Sequence, residues 1–180
     1  ILTAGGAAVE HARIVYGGTA VDEFDVARQH AAAITPGSEV LRLLYMGRLE
    51  PIKGVHTVVQ ALQRLADAPV ALDILGAGDP DYIAALEATV TGAGMQDRVR
   101  FLGAAQRSAV PQVLAEHDVL LFPSEWNEPF ARSVLEGMAA GLVVVGTTTG
   151  GTGEILVDGE TGLTFAAGDA VQLAAQIQRL

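Results

Sequence analysis

Residues 41–78 read LRLLYMGRLEPIKGVHTVVQALQRLADAPVALDILGAG, and this stretch decides the fold. Leu41 to Met46 is a short apolar run ended by Gly47, the pattern of a strand buried on both faces. Val55 to Ala66 places Val55, Val58, Val59, Leu62 and Leu65 at helical spacing, which gives a helix one apolar face. Val70 to Leu75 is a second apolar run, closed by Gly76-Ala77-Gly78. Strand, helix and strand in this order form a βαβ unit, whose crossover makes the strands parallel.

The alternation continues to the C-terminus. Pro80 to Thr91 predicts a helix, with Asp79 as N-cap and Pro80 at its first position. Val99 to Leu102 predicts a strand, Ser108 to Glu116 a short helix, and Val119 to Phe122 a strand stopped by Pro123. Phe130 to Ala140 predicts a helix closed by Gly141, and Leu142 to Val145 a strand. A Gly/Thr-rich loop runs through Gly153, and Gly168 to Arg179 predicts the last helix. Apolar strands alternating with helices predict the α/β class, with a Rossmann-like, doubly wound parallel sheet covered on both faces. No sequence repeat of fixed period accompanies the alternation.

The N-terminal segment differs. Ile1 to His11 is small, Gly/Ala-rich and without period. Arg13 to Tyr16 reads as a short strand stopped by Gly17-Gly18, Asp25 to Ala33 as a helix, and Thr35-Pro36-Gly37-Ser38 as a breaker. The chain starts at Ile1 rather than Met, so we expect a piece of a longer protein.

Composition bounds the function. Of 180 residues, 50% are apolar and 18% charged, with a mean hydropathy of +0.35, enough to bury a core. The absence of cysteine excludes disulfides, thiolate zinc sites and cysteine nucleophiles. A formal charge of −10, from 21 acids against 11 bases, gives no overall basic footprint for nucleic acid or anionic lipid. An anionic ligand must therefore be held by a local basic pocket. No apolar run approaches the roughly 20 residues of a membrane helix.

Ligands of open α/β sheets bind at the carboxyl ends of strands, so the loops there carry the chemistry. The first is Gly47-Arg48-Leu49-Glu50-Pro51-Ile52-Lys53-Gly54. Two cations at a helix N-terminus oppose the helix dipole unless an anion joins them. Arg48 can fork onto phosphate oxygens, and Lys53 adds a point charge. The competing reading is a solvated loop with a surface pair to Glu50. The second is Ser124-Glu125-Trp126-Asn127-Glu128-Pro129-Phe130-Ala131-Arg132-Ser133-Val134-Leu135-Glu136. Pro129 is expected at the helix start, leaving the N–H groups of Ala131 to Val134 as free donors. Glu128 in the loop and Glu136 along the helix offer acceptors for paired hydroxyls. The competing reading is ordinary acidic capping. In the third loop, Thr147 to Glu154, the glycines permit either a close backbone approach or a plain turn.

Other signals are weaker. Gly76-Ala77-Gly78 lacks the third glycine of a dinucleotide fingerprint, because Asp81 occupies that place. Asp79-Pro80-Asp81 reads as a cap rather than a metal motif. His56 and His117 follow no metal spacing and read as structural or exposed. Neither a Gly-x-Ser-x-Gly elbow nor a P-loop is present. Trp126 reads as a packing residue or cleft wall.

Together these pieces resemble the C-terminal, donor-binding half of a retaining GT-B glycosyltransferase of the family 4 type (glycosyl transferases group 1). The resemblance runs from about Arg13 to Leu180. Its most specific parts are Gly47-Arg48…Lys53-Gly54, Glu128-x7-Glu136, and Ala139-Ala140-Gly141-Leu142-Val143-Val144 running into Gly150-Gly151…Glu154. Asp158-Gly159-Glu160-Thr161-Gly162-Leu163 also matches.

The resemblance implies roles. Arg48 and Lys53 would hold the donor diphosphate and stabilise the leaving phosphate, and Glu128 would bind hydroxyls of the transferred sugar. These three form the expected catalytic set. Glu136 would bind the ribose. Gly47 and the run Pro129, Phe130, Ala131, Arg132, Ser133 and Val134 would contact sugar and phosphate, largely through backbone N–H groups. The segment from Leu102 to Gln106, Gly103 and Gln106 included, would line the base. Ala131 stands where the family often has Gly, and its methyl could narrow the sugar pocket. No metal or cofactor is expected beyond the nucleoside-diphosphate sugar, which is the donor substrate.

The implied organisation is an interdomain connection over residues 1–39 and the nucleotide-sugar-binding domain over 40–180. The N-terminal acceptor domain would lie outside this chain. The parent would be a hexosyltransferase-type enzyme, cytoplasmic or peripheral at the membrane. The isolated fragment is expected to bind the donor weakly and transfer nothing. The face left by the absent domain is expected to be apolar, and two copies could pair through it. Two rivals stay open: a GT-B-fold sugar-nucleotide epimerase and a non-catalytic nucleotide-sugar-binding module.

Overall fold

A computed structural model describes residues 18–25, 27 and 40–180. The predicted strand Arg13–Tyr16 and the breaker Thr35–Ser38 lie outside the described residues. So does most of the predicted helix Asp25–Ala33, of which Asp25 and Ala27 are helical.

The elements are β1 (Leu41–Met46), α1 (Val55–Arg64), β2 (Val70–Leu75), α2 (Pro80–Gly92), β3 (Val99–Gly103), α3 (Val110–Ala115), β4 (Val119–Phe122), α4 (Arg132–Ala140), β5 (Val143–Gly146), β6 (Leu163–Thr164) and α5 (Ala170–Gln178). All strand pairs are parallel, in the order β3-β2-β1-β4-β5-β6. The chain winds outward from β1 to β3, then returns to place β4 beside β1, with Leu43 opposite Val119 and Tyr45 opposite Leu121. The strand order thus reverses between β1 and β4, where open α/β sheets hold their ligands.

Alternating side chains of each strand feed two cores. Leu43, Tyr45, Leu72, Ile74, Val119, Leu121 and Val145 pack on one face with Val58, Leu62, Leu86 and Leu173 from α1, α2 and α5. Leu44, Leu120, Phe122 and Val144 pack on the other with Leu114 of α3 and Val134 of α4. Phe24, 1% exposed in a 3₁₀ turn over Val21–Phe24, belongs to this second core. Burial on both faces explains why the strands read as apolar runs without alternation.

Several boundaries shift for identifiable reasons. Helix α4 starts at Arg132 rather than Phe130, so Pro129 lies in the loop before the helix rather than at its first position. The loop is held by the Gly151 N–H, which donates to the Glu128 carbonyl at 2.8 Å. Before α3 a 3₁₀ turn covers Arg107–Ala109. Leu142 falls outside β5 because its N–H closes α4 by donating to the Gly137 carbonyl. Gly168 falls outside α5, whose N-cap Asp169 accepts from the Val171 and Gln172 N–H groups. Strand β6 has two residues and no readable period.

Candidate functional site

The cleft opens where β1 and β4 end. A space of about 360 Å³ is lined by Met46, Gly47, Arg107, Phe122, Glu128, Phe130, Ala131, Arg132, Ser133 and Glu136. The first wall is the turn after β1. Tyr45 is 3% exposed, and its phenol donates to the Arg48 carbonyl at 2.6 Å, pinning the turn from below. Burial, helped by nearby carboxylates, pushes the Tyr45 phenol well above its ordinary range, so it stays a donor. Gly47 and Leu49 continue beside residues 75–77, through their N–H groups to the Leu75 and Ala77 carbonyls. The sequence Gly76-Ala77-Gly78 is therefore a neighbour of this turn.

Lys53 closes a 3₁₀ turn over Pro51–Lys53, and Gly54 then opens α1 against β4. A Cβ on Gly54 would sit 2.0 Å from the Pro123 carbonyl oxygen, so the two strand-end loops touch backbone to backbone. This contact carries Lys53, the single lysine of the chain, to the β4 loop. Its Nζ donates to Glu128 Oε1 in an ion pair whose side chains are 13% and 17% exposed. Ser124, 1% exposed, sits 3.3 Å from the same Glu128 oxygen.

Behind Glu128 stands the third loop. A Cβ on Gly150 would lie 2.1 Å from the Glu128 carbonyl oxygen, and one on Gly151 would lie 2.2 Å from that of Pro129. Thr147 and Thr149 hydroxyls both donate to the Ser124 carbonyl. The glycines of this stretch thus serve a close backbone approach that buttresses the Glu128-Pro129 turn.

Helix α4 forms the second wall. The Leu135 N–H makes the first helical bond, to the Ala131 carbonyl, so the N–H groups of Arg132, Ser133 and Val134 lie in the unpaired first turn. Glu136 faces the cleft with a side chain 4% exposed, and Arg107 Nη1 donates to its Oε1 at 2.5 Å. Arg107 also lies 3.9 Å from Glu23. Its guanidinium is held even more firmly protonated than usual, chiefly by the bond to Glu136.

Of the residues expected from sequence, Gly47, Glu128, Phe130, Ala131, Arg132, Ser133 and Glu136 line the cleft. Lys53 joins them through Glu128. Arg48 does not line it: its guanidinium bonds Glu50 at 2.9 Å on the exposed rim, the surface pair weighed as the alternative. Val134 is buried in the core beneath. Gly103 ends β3, with its carbonyl accepting from the Gly76 N–H, and Gln106 is exposed beside it. Neither lines the cleft, whereas the next residue, Arg107, does. Sequence reading missed Arg107, although a cation just past a strand end in so acidic a chain was the available signal.

His56 and His117 are structural. His56 joins Tyr82 and Glu125 at the surface, and His117 is buried against Asp73. Asp79 caps α2 by accepting from the Asp81 and Tyr82 N–H groups. Trp126 is 53% exposed, so it is neither a packing residue nor, among the described residues, part of the cleft lining. Among the described residues no cluster of three or more His, Asp or Glu is placed to hold a metal ion. Among them, too, no helix is long and apolar enough to cross a membrane.

Comparison with known proteins identifies a family and a fold. The profile of the family described as "Glycosyl transferases group 1" matches residues 41–180. A glycogen synthase of Mycobacterium tuberculosis is 34% identical over 154 residues, which cover 86% of this chain and 37% of that protein. A D-inositol 3-phosphate glycosyltransferase of Geodermatophilus obscurus is 31% identical over 188 residues, covering 96% of this chain and 41% of that protein. Anabaena HepE, solved in complex with UDP and glucose, superposes with a TM-score of 0.83 at 26% identity, covering 98% of this chain and 49% of that one. The sucrose-phosphate synthase of Thermosynechococcus elongatus gives 0.79 at 30% identity, covering 93% and 42%. The chain thus spans less than half the length of these relatives.

Proposed function

Because the chain belongs to the glycosyl transferases group 1 family, we propose that it is the nucleotide-sugar-binding domain of a retaining, family 4 type glycosyltransferase. One observation carries the reading. Lys53, Glu128, Arg107, Glu136 and the first-turn amides of α4 converge on one cleft at the β1/β4 switch point. Lys53 and the helix N–H groups suit a diphosphate, Arg107 holds Glu136, and the two carboxylates suit the hydroxyls of a sugar and a ribose. HepE, solved with UDP and with UDP-glucose, supports that ligand class.

In the proposed reaction the bond from the anomeric carbon to the diphosphate oxygen breaks, and its electron pair stays on the departing nucleoside diphosphate. The acceptor hydroxyl oxygen bonds the same carbon with retained configuration, and its proton passes to the departing diphosphate. Lys53 leaves Glu128 for the diphosphate and stabilises its growing charge, with Arg48 swinging in from the rim. Glu128, once released, accepts from hydroxyls of the transferred sugar. Glu136 accepts from the ribose, and the Arg132 to Val134 amides meet phosphate oxygens. No metal is needed for this charge balance in our reading. The acceptor would be bound by a further domain of the parent, packed against this end of the sheet, where Ile52 and Trp126 are exposed.

Calorimetric titration of the chain with UDP, GDP and ADP, with and without EDTA, tests the reading. We expect saturable binding of one of them, unaffected by the chelator and lost in an Arg48→Ala/Lys53→Ala variant of unchanged circular dichroism. A folded chain that binds none of the three overturns it.

A further inference from the structure

The Glu136 carboxylate is buried beside the cleft. Its side chain is 4% exposed, in an environment where an ionised carboxylate requires a partner. Among the described residues its partner is Arg107, with Nη1 at 2.5 Å from Oε1. Arg107 reaches it from another element, the 3₁₀ turn Arg107–Ala109 that follows β3, 29 residues earlier in the chain. Arg107 is itself 53% exposed, so its other N–H donors meet the cleft and solvent. Its second carboxylate, Glu23, lies at 3.9 Å with a side chain 55% exposed. Exposed pairs of that length contribute little, so the position of Arg107 is set by Glu136.

We propose that Arg107 is a positioning residue for nucleotide recognition, holding the Glu136 carboxylate oriented so that its second oxygen can accept hydrogen bonds from the vicinal hydroxyls of a ribose. The inference rests on the proposed function above and deepens it. A carboxylate fixed by a guanidinium on one oxygen presents the other in a defined direction, and acceptor direction decides whether a 2′-hydroxyl is recognised. Without Arg107 the buried carboxylate loses the guanidinium that fixes its direction, and its second oxygen no longer meets the ribose. The diphosphate contacts of Lys53 and the α4 amides are untouched by that loss. Arg107 therefore governs the sugar of the nucleotide and leaves the phosphate contribution in place.

The test compares whichever of UDP, GDP and ADP binds with its 2′-deoxy counterpart, by calorimetry on the full chain. The unaltered chain is expected to prefer the ribonucleotide about tenfold. Arg107→Ala is expected to bring that preference to within twofold of unity while still binding nucleotide in a Lys53-dependent way, and Arg107→Lys to restore part of it. Should Arg107→Ala fail to fold, Arg107→Gln, which removes the guanidinium and leaves Glu136 in place, is read instead. An Arg107→Ala or Arg107→Gln variant that keeps the full ribose preference overturns the positioning role and leaves the nucleotide site standing. An unaltered chain that binds nucleotide without ribose preference also overturns it. A chain that binds no nucleotide overturns the functional reading itself.

Discussion

Lys53 and Glu128, 75 residues apart in sequence, neutralise each other across the ends of β1 and β4. The chain's single lysine is thus already spent on a carboxylate inside the cleft proposed for a diphosphate. An incoming diphosphate must displace Glu128 from Lys53 and tolerate a released anion nearby. Glu128→Gln lifts both costs, so it should bind the nucleoside diphosphate about three- to tenfold more tightly, up to ~1.4 kcal/mol. Lys53→Ala should weaken the same binding at least about tenfold. Calorimetry of the three proteins decides the matter, and equal or weaker affinity in Glu128→Gln would show that Lys53 is not contested between the two anions.

The backbone behind Glu128 gives a second prediction. Gly150 has φ +60, and a Cβ there would lie 2.1 Å from the Glu128 carbonyl oxygen. Gly150→Ala therefore adds left-handed strain of about 1–2 kcal/mol and pushes the Glu128 turn out of place. At about 2–4 °C per kcal/mol for a chain of this size, the Tm should fall by at least about 2 °C. Nucleotide affinity should fall with it. Gly159→Ala is the control, because Gly159 has φ +75 with nothing within 4 Å of the added carbon. It should show the strain alone and keep its affinity. Two variants that behave alike would refute the buttress.

The fold was more legible in the sequence than the site, for a physical reason. β1 and β2 were read with their observed bounds because uninterrupted apolar runs ending at Gly47 and Gly76 describe strands buried on both faces. β6 was missed because Leu163 and Thr164 are too few to show a period. The start of α4 was misplaced because Pro129 carries the signal of a first helical residue, while a bond from the distant Gly151 N–H holds that turn out of the helix. Local chemistry identified Lys53, Glu128 and Glu136 as candidates. Who pairs with whom is a tertiary property: Lys53 meets Glu128, Arg107 meets Glu136, and Arg48 turns to Glu50 instead. Arg107 was passed over because the reading of its loop stopped at Gln106.

Alkaline pH gives a third prediction. Burial raises the Tyr45 phenol far above the ordinary tyrosine value of about 10, and burial also raises Tyr82. The folded chain then holds these protons to higher pH than the unfolded chain does. Stability is insensitive to both groups below about pH 10 and falls above it, by up to about 1.4 kcal/mol per pH unit for each. Tyr45→Phe loses the bond to the Arg48 carbonyl, costing about 1 kcal/mol at pH 7, and should decline less steeply above pH 10. Urea denaturation at pH 7, 10 and 11 measures both effects. Parallel losses in the two proteins would mean that Tyr45 does not control the alkaline limb.

The last prediction separates the two ends of the sheet. Asp73 and His117 are each 5% exposed, and their side chains meet at 3.1 Å between Oδ2 and Nε2. His117 Nδ1 lies 2.7 Å from the Val113 carbonyl oxygen, and Arg100 grips Asp73 through Nε and Nη2 at 2.7 and 2.5 Å. The network borders a cavity of about 210 Å³ shared with Arg42 and Ala71, near the starts of β1 and β2. It therefore lies toward the amino ends of the strands, with the sheet between it and the cleft. His117→Ala removes the buried ring and both of its contacts, and should cost about 2–4 kcal/mol. Arg100 still holds Asp73, so the fold should survive with a Tm lowered by several degrees. Nucleotide affinity at a temperature where the variant is folded should stay within twofold of the unaltered chain. A tenfold loss of affinity in the folded variant would mean that the buried network and the cleft form one coupled unit, against the division of the sheet into a structural end and a binding end.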